Sequence, residues 1–151
     1  MLRDDINNAV KDAMRAKDER KLSTLRMVNS TIKNADIAAR GEGKPPLSDA
    51  DLLGVFQKMI KQRQESADLY EKGGRPELVA QEKGEIEIIS AYLPKQMSDD
   101  EVKAAISAAI AETGAAGMKD MGKVIGVLRG KFAGQMDFGK ASGLVKAALT
   151  P

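Results

Sequence analysis

Tyr92-Leu93-Pro94-Lys95-Gln96-Met97-Ser98-Asp99-Asp100-Glu101 is a stop followed by a start. Proline disfavours helical geometry at the residue before it, so a helix running into Leu93 ends there. Ser98 with Glu101 three residues later is a capping box, which opens the next helix. The stretch therefore divides the chain into residues 1–94 and 95–151, and the periodicity on either side sets what each part contains.

Toward the N-terminus, apolar residues recur at three- and four-residue spacing. Leu2, Ile6, Ala9, Val10, Ala13 and Met14 give a first amphipathic helix over about 2–17. Leu22, Leu25, Val28, Ile32 and Ala35 give a second over about 20–39, after the charged break Lys17-Asp18-Glu19-Arg20. Gly41 to Pro46 forms a loop. Ser48 and Asp51 then resemble a capping box with a shorter acid, starting a third helix that Gly73-Gly74 closes. Pro76 suits the first turn of a fourth, which carries Ile86, Ile88, Ile89 and Leu93.

Toward the C-terminus, Val102, Ala105, Ile106, Ala109 and Ile110 make a fifth helix that Gly114 and Gly117 end. A sixth spans about 118–130 and a seventh about 138–149. No segment alternates as a strand would. The expected fold is all-α, a four-helix N-terminal part followed by a three-helix C-terminal tail domain.

Composition limits the chemistry. Hydrophobic residues are 42% of the chain but aromatics only 3%, so the core is aliphatic and suits helix-on-helix packing. Cys and His are both absent, which removes thiol nucleophiles, disulfides, the usual zinc sites and the commonest general base. No cofactor is expected. No apolar run reaches the ~18 residues that span a bilayer, and the charged first residues lack a secretory signal's apolar segment. A cytoplasmic protein with no membrane partner is expected. The net charge is +2; residues 95–151 hold 8 basic and 6 acidic groups, and the rest of the chain is balanced.

Four stretches invite a chemical reading. Lys58-Met59-Ile60-Lys61-Gln62-Arg63 reads as a solvated basic face with a Lys61–Glu65 pair, a phosphate-contacting edge being the alternative. Arg26, flanked by apolar residues, is placed at the core edge, paired with Glu85 or Glu87. Glu82, Glu85 and Glu87 read as a solvated face. The fourth is Lys119-Asp120-Met121-Gly122-Lys123-Val124-Ile125-Gly126, followed by Gly139-Lys140 one helix later. A glycine inside a helix costs about 1 kcal/mol relative to Ala. Such glycines are useful only if another backbone comes close, whether a packed helix or the phosphates of an RNA; both remain open here. The candidate nucleic-acid-binding residues are Lys119, Lys123, Arg129, Lys131, Lys140 and Lys146, which would hold phosphates without reading bases.

Leu22-Ser23-Thr24-Leu25-Arg26, Lys58 to Arg63, Tyr92-Leu93-Pro94, Lys119 to Val124 and Phe138-Gly139-Lys140, in this order, resemble the GatB/YqeY family. The family's glycine-arginine-alanine-aspartate-glycine-lysine turn before the last helix reads Gly134-Gln135-Met136-Asp137-Phe138-Gly139-Lys140, with Gln135 in the basic position. The resemblance implies kinship with the tail of the GatB component of the glutamine-dependent aspartyl/glutamyl-tRNA amidotransferase, a part that helps hold tRNA. It implies tRNA as ligand, and a tRNA-dependent amidotransferase or an aminoacyl-tRNA synthetase as partner enzyme. A carbon–nitrogen ligase label with glutamine as amide donor goes with the family, but the isolated chain lacks that machinery and is expected to be non-catalytic. A protein-interaction adaptor with no RNA ligand is the alternative.

Overall fold

The computed structural model describes residues 1–150. Seven α-helices follow one another among the described residues, with no strand. They are α1 (Leu2–Ala16), α2 (Glu19–Gly41), α3 (Asp49–Lys72), α4 (Pro76–Ser90), α5 (Asp99–Thr113), α6 (Met121–Phe132) and α7 (Phe138–Leu149). A single 3-10 turn, Met118–Asp120, leads into α6. The protein is all-helical. Its contacts gather into two compact units, Met1–Leu93 and a second that begins at Pro94.

In the first unit the helix ends are set by local chemistry. Lys17 takes a left-handed conformation, φ 55°, and its amide and that of Asp18 close α1. Asp18 then accepts from the Lys21 amide at 3.1 Å and caps α2, so two residues turn one helix into the next. The Ser48–Asp51 box forms in both directions, at 3.1 and 3.2 Å. An aspartate is therefore long enough for the reciprocal bond here. Pro76 occupies the first turn of α4, whose helix ends at Ser90, short of the Leu93 read from the sequence. Ile6, Leu25, Leu52, Phe56 and Ile89 are fully or almost fully buried in one cluster. Complete burial of a side chain such as Phe56 stabilises by about 2–3 kcal/mol. Arg3 grips Asp36 through two bonds of 2.6 and 2.9 Å and the Leu47 carbonyl at 2.8 Å. That latch ties the start of α1 to the end of α2 and to the loop before α3.

The second unit has its own core of Ile106, Val124, Leu128, Met136, Ala141 and Val145. The Ser98–Glu101 capping box is present at both bonds. Gly114, at φ 65°, ends α5 in the left-handed region that favours glycine. Met97 donates its amide to the Gln135 carbonyl at 2.9 Å, and the Gln96 amide group donates to the Gly134 carbonyl at 2.6 Å. These bonds fasten the start of the unit to the turn between α6 and α7.

Candidate nucleic-acid interface

The sequence points to the outer surfaces of α6 and α7. Both helices bury one stripe, Val124 and Leu128 on α6 and Ala141, Val145 and Leu149 on α7. Met121, Ile125, Val127, Phe132, Phe138 and Leu144 pack beside it, partly buried, and the exposed positions carry lysine, arginine, glycine and, on α7, Ala147 and Ala148. All six candidate cations, Lys119, Lys123, Arg129, Lys131, Lys140 and Lys146, are exposed.

Three of them have carboxylates close by. Lys131 Nζ lies 2.7 Å from Glu112 of α5, Lys123 Nζ 3.9 Å from Asp120, and Lys140 Nζ 3.8 Å from Asp99. The first is a true surface pair; the other two are at the limit of an ion pair and hold little in water. Lys119, Arg129 and Lys146 make no ion pair among the described residues. The Arg129 guanidinium instead sits over the Phe138 ring, 5.7 Å from its centre, which fixes a cation between the end of α6 and the start of α7. The Asp120 carboxylate is held below its usual range, first by the Ala116 amide and then by the charges of Lys123 and Lys119. It accepts from the Ala116 amide at 3.1 Å and so belongs to the turn before α6.

The glycines resolve a choice left open by the sequence. A Cβ placed on Gly122, Gly126, Gly130 or Gly143 would meet nothing within 4 Å, and none of the four has a positive φ. Close packing inside the second unit, one of the two readings of Gly122 and Gly126, is therefore not what these glycines serve. Gly139 differs: a Cβ there would come to 3.2 Å of the Asp137 carboxylate, which caps α7 by accepting from the amides of Gly139 and Lys140.

The basic stretch of α3 divides. Lys58 and Lys61 are exposed, but Arg63 turns inward. Its Nε donates to Glu85 of α4 at 3.0 Å, Nη1 to the Met59 carbonyl at 2.9 Å, and Nη2 to the Met27 sulfur at 2.8 Å. The pair is largely buried, with side-chain exposures of 12% and 17%. The arginine that meets Glu85 is thus Arg63; Arg26, expected there, is exposed. The solvated-face reading of the carboxylates is corrected for two of three. Glu85 is in the pair, and burial, with the nearby Glu85 charge, raises the pKa of the half-buried Glu82; Glu87 is exposed. Arg20 crosses α4 at Gly84, where a Cβ would come to 2.9 Å of its Nη1.

The spacing could have shown this. Leu52, Phe56, Met59 and Ala67 are the buried positions of α3, and Arg63 falls in step with them, four residues from Met59 and four from Ala67. Among the described residues no three Asp or Glu side chains gather as metal ligands would. No helix among them is long and apolar enough to cross a membrane.

Comparison with known proteins adds kinship. The profile of the family described as "Yqey-like protein" matches residues 3–149. Relatives bearing the name "Altered inheritance of mitochondria protein 41, mitochondrial" are 40% identical in Eremothecium gossypii, 39% in Saccharomyces cerevisiae and 38% in Vanderwaltozyma polyspora, each over 84 residues. Each match covers 56% of this chain and 44% of the relative, so the chain spans less than half the length of the curated relatives it matches. Their names overturn the cytoplasmic expectation, since they place these relatives in mitochondria. That expectation rests on the composition of the first residues, which does not choose among compartments.

Proposed function

The chain belongs to the YqeY-like protein family, and from that premise we propose that it is a non-catalytic tRNA-binding module serving tRNA-dependent enzymes. In this reading α1–α4 are a helical scaffold and α5–α7 a three-helix recognition part. Its enzyme partner is an amidotransferase or an aminoacyl-tRNA synthetase, and its setting is the mitochondrial one in the relatives' name. The carbon–nitrogen ligase label describes the company the family keeps; this chain contributes no nucleophile from Cys and no base from His.

The observation that carries the proposal is the trio Lys119, Arg129 and Lys146. All are exposed, none is in an ion pair among the described residues, and Arg129 is positioned over Phe138. Such cations release counterions when they meet phosphates, so affinity falls with salt. With aromatics scarce, recognition rests on shape and backbone more than on base stacking.

Filter binding of unfractionated tRNA tests it. Wild type retains tRNA at about 50 mM salt and loses it steeply toward about 200 mM, while Lys119→Glu/Arg129→Glu/Lys146→Glu retains little at either. Negligible retention by wild type at the lower salt refutes the proposal. The adaptor alternative is favoured by one feature, Leu69 of α3, which is 68% exposed. Partners that survive ribonuclease in a pull-down, and that are lost in Leu69→Ser, would support it instead.

A further inference from the structure

The sequences of α6 and α7 superimpose with a shift of 17 residues. Asp120-Met121-Gly122-Lys123-Val124-Ile125-Gly126-Val127-Leu128-Arg129-Gly130 is answered by Asp137-Phe138-Gly139-Lys140-Ala141-Ser142-Gly143-Leu144-Val145-Lys146-Ala147. The match extends to three dimensions. Asp120 and Asp137 stand at the two N-caps. Val124 and Ala141 are buried, as are Leu128 and Val145, while Lys123 and Lys140, Gly126 and Gly143, and Arg129 and Lys146 are exposed. One surface has been written twice.

That surface has two properties that the fold itself does not require. Neither α6 nor α7 contains an Asp or Glu; the carboxylates near their lysines come from Asp120, Asp99 and Glu112, outside both helices. Each outward face has a glycine at its middle, Gly126 or Gly143, with open space where a Cβ would stand. Glycine there weakens the helix and relieves no crowding within the chain. What its absence of side chain permits is the close approach of something outside.

We propose that α6 and α7 are two equivalent half-sites for RNA, each laying its glycine-bared face against a sugar–phosphate strand with cations on either side, Lys123 and Arg129 in one and Lys140 and Lys146 in the other. The occupant follows from charge. A face with cations and no carboxylate of its own complements a polyanion, and nucleic-acid backbones are the polyanions that a helix approaches closely. A helical protein would seek apolar side chains, and the only large apolar residue exposed among the described residues of this unit, Met118, precedes both helices. This inference rests on the tRNA reading above and adds where, and in how many copies, the backbone is held.

The test separates the two. Gly126→Leu, Gly143→Leu and the double variant of the full chain are titrated with unfractionated tRNA beside wild type. Because a Cβ at either position meets nothing within 4 Å and Leu is the better helix former, each variant is expected to keep its helical spectrum and a melting temperature at or above wild type, by about 3 °C. Each single change weakens tRNA binding about tenfold, and the double change by roughly the product. Leu variants that bind as wild type does overturn the half-sites while leaving tRNA binding in place. A wild type that binds no tRNA overturns the parent reading, and this one with it. A lower melting temperature for either single variant means that the face is packed, which also overturns the proposal. Unchanged tRNA binding with loss of self-association in sedimentation assigns the faces to a second copy and overturns it too.

Discussion

The first unit turns charge inward and the second turns it outward. Arg63 and Glu85 lie in step with the apolar stripes of α3 and α4, nearly enclosed, and join α2, α3 and α4 through Met27, Met59 and Glu85. In the second unit no comparable pair enters the core among the described residues. Its cations stand on the surfaces of α6 and α7, beside glycines that leave the helix backbone uncovered. A charge held inside constrains the fold, whereas a charge left outside with no partner is available to a ligand. The difference makes the first unit the better candidate for a scaffold and the second for a recognition surface.

The sharpest way to break this contrast is to remove the enclosed charge. Arg63→Ala leaves Glu85 without its cation in a place that water barely reaches, and should destabilise the protein by about 3 kcal/mol. Arg63→Met with Glu85→Gln should recover most of that loss, because the double change strands no charge. Chemical denaturation of the three proteins checks both outcomes; a near-neutral Arg63→Ala would dissolve the distinction between the units.

The opposite sign is expected on the other side. Gly126→Ala and Gly143→Ala should each stabilise by about 1 kcal/mol, since Ala suits a helix and the added Cβ meets nothing. Differential scanning calorimetry reads this as a higher melting temperature.

A smaller effect sharpens the first unit alone. Burial raises the pKa of Glu82, ahead of the Glu85 charge. A raised carboxyl favours the fold in its protonated form, and that contribution is lost as pH rises through the folded pKa. Glu82→Gln should therefore stabilise at pH 7, with the gain vanishing in acid. Asp36 has the reverse sign. The Arg3 bonds and the Leu47 amide lower its pKa, so its contribution is present above about pH 4 and disappears as pH falls through the folded value. Asp36→Asn should flatten the acid limb of a stability–pH curve. Smallest of all, Lys131→Ala should change stability by less than about 0.5 kcal/mol, because both partners of the Lys131–Glu112 pair are more than half exposed.

The all-helical class is legible in the chain because apolar spacing, the Ser48 and Ser98 boxes and Pro76 all point the same way. Local signals of this kind act within a few residues and survive any tertiary arrangement. Arg63 escapes such signals. A charged side chain at a buried position of the stripe looks solvated unless its partner on another helix is known, and Glu85 lies 22 residues away. The apolar flanks that point to Arg26 instead say that a helix is buried somewhere, but not on which side. Among the site residues, the exposure of the six cations follows from the helical pattern. The Lys123–Asp120 contact is a local one, three residues apart, but the pairing of Lys131 with Glu112 and of Lys140 with Asp99 is not legible, because it depends on how α5 lies against α6 and α7. The role of Gly122 and Gly126 is undecidable until the space around them is measured.

Amide chemical-shift mapping of the full chain as unfractionated tRNA is added tests the division of labour most directly. Perturbations concentrated on residues 118–131 and 138–149, appearing in both helices over the same concentration range and suppressed by added salt, are the predicted result. Shifts that fall chiefly on α2, α3 and α4, or no shifts at a salt concentration of about 50 mM, would contradict it.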